Sequence, residues 1–339
     1  MDLHVIWFFL LGVLLAGYAV LDGFDFGVGI LHPLAKTDHE RRLFINSIGP
    51  IWDGNEVWLV VFGGALFAAF PEAYATVFSG FYLAFMLLLF ALIFRAVSIE
   101  FRSKMKSAAW RRAWDAGFFT SSLVASLLFG VAVGNGMMGM PLDNRGVFIG
   151  RFADLLNPYA LVSGLVTVAM FAMHGAIYLF LKLPDGEARD RVRGWMWHTW
   201  GIFLVLYILG TMYTLVAIPR ATANFKHYPW AVVIVLLNVL AIANIPRAVH
   251  LNKPVQAFLS STMTIMCLVF LFGMALFPNL VAASNDARNA LTVYNAASSV
   301  GTLRTMLIIV IIGLPFVLTY TATVYWTFRG RVELGEHSY

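Results

Sequence analysis

Apolar residues in this chain come in long continuous runs broken by short polar clusters. Nine runs stand out, over residues 5–31, 51–70, 74–99, 113–134, 158–181, 196–218, 229–246, 256–279 and 304–327. Each approaches the ~20 residues that a helix needs to cross the hydrocarbon core of a bilayer. Barrel strands would alternate apolar and polar positions over about ten residues, and these runs do not. The pattern predicts an all-α, polytopic transmembrane helix bundle of about nine spans. Pro33, Pro71, Pro141, Pro184, Pro219, Pro246 and Pro254 fall at or between the expected ends, where a residue lacking an N–H disturbs a helix least. The chain reads as one integral membrane domain, 1–339, with four spans within 1–134, four within 158–279 and the last at 304–327. The first run begins almost at once, lacks a basic leader and is longer than a signal-peptide core, so it reads as a retained helix. One faint internal echo, FGGALFAAFPEAYA at 62–75 and LFGMALFPNLVAAS at 271–284, puts small residues before a Phe-Pro step in both places.

Composition agrees with the pattern. Hydrophobic residues make up 60% and charged residues 12%, against about 25% charged in soluble domains. The basic balance could suggest nucleic acid, but in so apolar a chain it marks the cytoplasmic loops instead. With the N-terminus outside, 16 of the 23 Lys and Arg fall in cytoplasmic loops and six outside, with Arg95 inside the third span. That asymmetry predicts an outside N-terminus and an inside C-terminus. The single cysteine, Cys267, excludes an intramolecular disulfide and a thiolate metal cluster.

Ionisable residues inside spans are costly, about 2.5–3.5 kcal/mol at a helix centre on insertion scales, so those that occur are the candidates for chemistry. Asp22 and Asp25, in GYAVLDGFDFGVG, lie three apart on one helix face, beside the small-residue pair Gly23 and Gly27. They read either as a carboxylate pair on a cation or proton route or as a packing face. Asp53 and Glu56, in PIWDGNEVW, also share a face. Asp-x-x-Glu at a helix start resembles a capping box, and Trp52 and Trp58 resemble an interfacial belt. If the helix began earlier, near Phe44, Asp53 would be a buried carboxylate able to carry a proton. Glu100 and Lys104 have the spacing of a helical ion pair, and Asp115 could cap the fourth span. Arg95 must either snorkel to the interface or find an anion such as Asp53, Glu56 or Asp115. The eight histidines are scattered, with no paired ligand set and no haem-attachment signal. His174 reads as a core histidine before it reads as an iron ligand. No phosphate-binding loop or dinucleotide fingerprint occurs.

Taken together, GYAVLDGFDFGVGIL at 17–31, INSIGPIWDGNEVW at 45–58, GGALFAAFPEAYATVFSGFY at 63–82, FRAVSIEFRSK at 94–104 and RRAWDAG at 111–117 resemble subunit II of the cytochrome bd quinol oxidases. The resemblance is dense over the first third of the chain and topological beyond it. The short loop after the sixth span resembles the cyanide-insensitive branch. The resemblance implies a multi-pass protein of the bacterial cytoplasmic (inner) membrane, in a complex that oxidises quinol and reduces oxygen to water. It implies a partner, subunit I, carrying two b-type haems and one d-type haem, with no metal and no haem held by this chain. A structural quinone, small accessory transmembrane subunits and surrounding lipid are further implied associates; nucleic acid is not. By the same resemblance, Asp53 is an inner relay of a cytoplasmic proton inlet, with Glu100 and Lys104 at its mouth. Glu100 stands where some members carry Asp, so the carboxylate is retained. The alternatives are a proton- or cation-coupled secondary transporter, which would show an inverted repeat and broken midplane helices, and a scaffold with no proton role.

Overall fold

A computed structural model describes residues 2–335 and 338. Its helices are α1 Leu3–Leu31, α2 Asp38–Ile48, α3 Trp52–Ala69, α4 Pro71–Gly80, α5 Tyr82–Phe101, α6 Ala108–Met138, α7 Pro158–Lys182, α8 Glu187–Ala217, α9 Ala223–His227, α10 Val232–His250, α11 Pro254–Leu276 and α12 Val300–Thr327. The architecture is an all-α polytopic bundle.

Among the described residues, eight helices are long and apolar enough to cross a membrane. The expected second span is α3, 18 residues long and thus about 27 Å; its polar first turn, WDGNE, leaves it outside those eight. It nevertheless runs the length of the bundle. Ile51, just before it, joins an apolar cluster with Leu31, Ile99, Leu183, Val249 and Val332. Its last residue, Ala69, joins a second cluster with Trp7, Phe81, Met140 and Leu303. The second cluster lies at one end of the molecule, and the first fills the interior and reaches the other end. The crossing helices are α1, α3, α5, α6, α7, α8, α10, α11 and α12; Leu3 and Leu303 pack with the second cluster and Leu31 and Val332 with the first, so the two termini of the described chain lie at opposite ends.

The expected span 74–99 is interrupted. α4 stops at Gly80 and α5 starts at Tyr82, because the 139–157 connection folds against the joint. A Cβ on Gly80 would come within 2.5 Å of Met140 Cε and 3.1 Å of Phe148 Cβ. The same end carries a small ribbon that the apolar pattern did not announce. Asn279–Val281 pairs antiparallel with Leu291–Thr292, and Met140 bridges to Ala283.

Eight of the crossing helices form two quartets with the same packing order. α1 packs on α3 and α6, and α5 packs on α6; α7 packs on α8 and α11, and α10 packs on α11. Four helices per quartet bring the chain back to its starting end, so the repeat is parallel. It pairs α3 with α8 and α6 with α11, whereas the echo at 62–75 and 271–284 falls on the α3–α4 junction and on the step from α11 to the strand Asn279–Val281. The echo is therefore not the trace of this repeat.

The quartets meet where α7 packs on α6 and crosses α1. A Cβ on Gly27 would lie 2.0 Å from the Phe171 carbonyl oxygen and 2.7 Å from Gly175 Cα. Only glycine permits that approach, which is the packing role of small residues in membrane helices. Trp58 is likewise a packing residue and not part of an interfacial belt: its ring lies over Gly17, 2.6 Å from where a Cβ would sit. Trp52 is half-buried against the core cluster at its end of the bundle.

Candidate functional site

The ionisable residues of the first quartet sort into three groups. The deepest centres on Arg95, wholly buried on α5. Its guanidinium donates to both oxygens of Asp22, at 2.5 and 3.0 Å, and to Glu56 Oε2 at 3.3 Å. Its charge also lies 4.2 Å from the centre of the Phe26 ring. Of the anions expected for Arg95, Glu56 is a partner; Asp53 and Asp115 are not, and the principal one is Asp22. A planar fork reading a carboxylate edge-on explains why Arg occupies this position, since Lys cannot make the paired contact. Asp22 and Asp25 are both fully buried, but they turn to different partners. Asp25 Oδ2 accepts from Asn55 Nδ2 at 2.8 Å, the same amide reaches the Leu21 carbonyl at 3.1 Å, and Tyr325 donates to Asn55 Oδ1 at 2.8 Å. Two polar nets thus tie α1 to α3, one through α5 and the other with α12.

The second group lies at the end of the bundle where α1 gives way to α2 and α5 to α6. Asp115 does not cap α6; Ser107 does, through its side chain. Asp115 lies two turns inside and accepts from His32 Nε2 at 2.7 Å, from Arg102 Nε at 2.5 Å and from Arg41 at 3.1 Å. Arg102 is buried and also reaches Asp38 at 2.8 Å, which Arg111 meets at 2.9 Å. Neither Arg102 nor His32 stood out in the sequence. Each sits at a span margin, where the apolar pattern has already faded. A carboxylate as apolar-flanked as Asp115, with several basic residues at the adjoining helix ends, was the only signal.

The third group comprises Asp53, Glu100 and Lys104. Asp53 is in the first turn of α3, exposed, and the cap position is taken by Ile51 with no side-chain cap bond. The capping-box reading is therefore wrong. The helix does not begin near Phe44 either, because α2 ends at Ile48 and a Gly-Pro break precedes α3. Glu100 is half-buried in the last turn of α5, while Lys104 is exposed in a 3-10 turn, Arg102–Lys104. The helix ends between them, so helical i, i+4 geometry does not carry through. All three belong to the bundle end that holds Ile51 and Ile99.

The buried histidine of the second quartet, His174, has both ring nitrogens engaged, Nδ1 with Ser261 Oγ at 2.7 Å and Nε2 with the Val20 carbonyl at 3.2 Å. Its ring stacks on Phe258 at 4.8 Å.

A family model described as cytochrome bd terminal oxidase subunit II matches residues 3–328. The chain belongs to that family. Cytochrome bd-I ubiquinol oxidase subunit 2 of Escherichia coli K12 is 38% identical, over 97% of this chain and 95% of that protein. Cytochrome bd ubiquinol oxidase subunit 2 of Bacillus subtilis is 35% identical over 99% and 98%. In fold, the chain resembles a chain of the bd oxidase from Geobacillus thermodenitrificans, with a TM-score of 0.79 and 17% identity, covering 97% and 99% of the two chains.

Membership makes this subunit II a multi-pass membrane component of a terminal oxidase, with a subunit I as partner. It removes the transporter reading, and the parallel repeat differs from the inverted one expected there. Such an oxidase implies haem in the complex. Among the described residues the two fully buried histidines, His32 and His174, are already engaged within this chain. His174 has no free nitrogen, His32 is held by Asp115 with Phe118 edge-on at 5.3 Å, and no cluster of three His, Cys, Asp or Glu occurs.

Proposed function

We propose that this subunit II seats against a haem-bearing subunit I in the bacterial cytoplasmic membrane, stabilises it, and contributes a cytoplasmic proton inlet for reduction of oxygen to water. The observation that carries the reading is the exposure of Asp53 on a helix that crosses the bundle. A carboxylate set among exposed apolar residues is costly to leave against lipid, and a partner subunit seated on this face would cover it. The surrounding face suits a close helix partner: a Cβ added at Gly54, Gly63 or Gly64 would meet no neighbour within 4 Å, and Val57, Val60 and Val61 beside them are exposed.

Orientation follows from loop charge, with the N-terminus outside and the Asp53 end cytoplasmic. Glu100 and Lys104 then stand at the mouth, where their charges order water and collect protons. Asp53 relays them inward along the junction with subunit I. A relay needs groups that accept and release a proton within direct or water-bridged reach. Arg95, Asp22 and Glu56 hold the helices that carry these groups. The resemblance further supports two b-type haems and one d-type haem in subunit I, with quinol protons released outside. A structural quinone and small accessory subunits complete the expected assembly.

The test is Asp53→Asn, which keeps shape and a hydrogen bond but cannot carry a proton. The complex should assemble with full haem content and lose most of its oxygen-reduction rate. Lys104→Met should be milder, because bulk water partly replaces a surface group. Full haem with full turnover would remove Asp53 from the pathway, and joint loss of both would make it structural.

A further inference from the structure

Between Asp190 and Asp286 the sequence contains no Asp or Glu at all. Three bases nevertheless cluster where α10 turns into α11: Arg247, His250 and Lys253, all exposed. Elsewhere at this end of the bundle Arg41, Arg102, Arg111, Arg189, Arg191 and Arg331 each pair with a carboxylate. Among the described residues Arg247 and Lys253 pair with none. Arg247 donates only to the Asn244 side-chain oxygen, at 3.1 Å.

Directly beneath these bases runs a groove of about 320 Å³ between α10 and α11. Its walls are Leu237, Leu240, Leu259 and Met263, and its floor is made by the small side chains of Ala241 and Ser260. Leu240 is 64% and Leu259 61% exposed, so the groove opens sideways, toward lipid. Its polar end is organised. Asn244 donates to Ser260 Oγ at 2.9 Å, and its oxygen accepts from Arg247 and lies 3.5 Å from Gln256 Nε2. Cations, an amide cluster and an apolar trough therefore succeed one another along the membrane normal. A free anion would match the first of these and leave the trough unfilled. A quinone tail would match the trough and leave the charge uncompensated.

We infer that the α10–α11 groove binds one anionic phospholipid, its phosphate against Arg247 and Lys253 and an acyl chain between Leu240 and Leu259. The lipid supplies the counter-charge that residues 191–285 do not encode.

The test uses the assembled complex in nanodiscs of mixed phosphatidylglycerol and phosphatidylcholine, followed by gentle extraction and native mass spectrometry of retained lipid. Wild type should retain one more phosphatidylglycerol than Arg247→Gln/Lys253→Gln, with phosphatidylcholine retention unchanged. Ala241→Phe, which fills the trough and keeps the bases, should lose the same lipid. Haem content and turnover should match wild type in the charge variant, which reports that it is folded. Equal phosphatidylglycerol retention in wild type and the charge variant would overturn the inference. So would retention of phosphatidylcholine in its place, a quinone lost from the groove by Ala241→Phe, or displacement of the lipid by inorganic phosphate alone.

Discussion

The two quartets share a packing order but not a chemistry. The first buries Asp22, Asp25, Arg95, Arg102 and Asp115. The second stitches its interior with neutral groups. Tyr207 donates to Asn238 at 2.9 Å, Asn238 to the Thr264 carbonyl at 3.1 Å, and His174 joins Ser261. In an apolar medium a neutral hydrogen bond is enough to lock helices, so the ions of the first quartet are not required by the fold class. Buried ion pairs are weak devices for stability and costly when broken. Their concentration on one quartet, next to the exposed carboxylate of Asp53, is the reason the proposed proton path is assigned to that half.

Arg95→Leu should break that comparison most severely. It strands Asp22 in the core, a loss of about 3–5 kcal/mol for a broken buried pair, and co-purification of the haem-bearing partner should fall accordingly. Arg95→Lys should be milder, and Asp22→Leu added to Arg95→Leu should recover part of the yield. Asp115→Asn comes next, at about 1.5–3 kcal/mol for a charge-assisted hydrogen bond, read as a lower melting temperature of the complex. The equivalent change in the second quartet, His174→Leu, removes neutral bonds only and should cost about 0.5–1.5 kcal/mol. If His174→Leu proved as damaging as Arg95→Leu, the contrast between quartets would fail.

The smallest effect belongs to Glu40, which joins α2 to α8 through Arg191 at 2.5 Å. Burial pushes its carboxyl up, but hydrogen bonds from Arg191 and the Lys36 amide outweigh burial and hold it below the usual carboxylate range. A lowered carboxyl contributes stability above its unfolded value and loses it as pH falls through the folded one. Melting temperature should therefore drop on acidification below about pH 4.5, more in wild type than in Glu40→Gln.

The spans were readable because lipid demands long apolar runs, and the loops were readable because Lys and Arg gather in alternate ones. The break at Gly80 was not readable. Its residues continue an apolar run, and the cause is Met140 and Phe148, sixty residues away. That Arg95 needed either an anion or a reach to the interface followed from its place in the run. That the anion is chiefly Asp22 depends on how α1 and α5 face each other, which no local pattern encodes. Asp53 and Glu56 invited a capping-box reading because the spacing is right; Ile51 holds the cap position, and Glu56 turns to Arg95. The hub at Asp115 was half visible: the acid stood out, and the bases around it were hidden among ordinary loop charges.

The central claim is that Asp53 carries protons while the buried acids hold the helices. Time-resolved proton uptake by the fully reduced complex, after mixing with oxygen, tests it most directly in Asp53→Asn and Asp115→Asn side by side. Asp53→Asn should show an intact haem spectrum with uptake slowed by an order of magnitude or more, about 1.4 kcal/mol per tenfold. Asp115→Asn should assemble less well, with uptake per haem at the wild-type rate. Normal uptake in Asp53→Asn, or slowed uptake per haem in Asp115→Asn alone, would contradict the account.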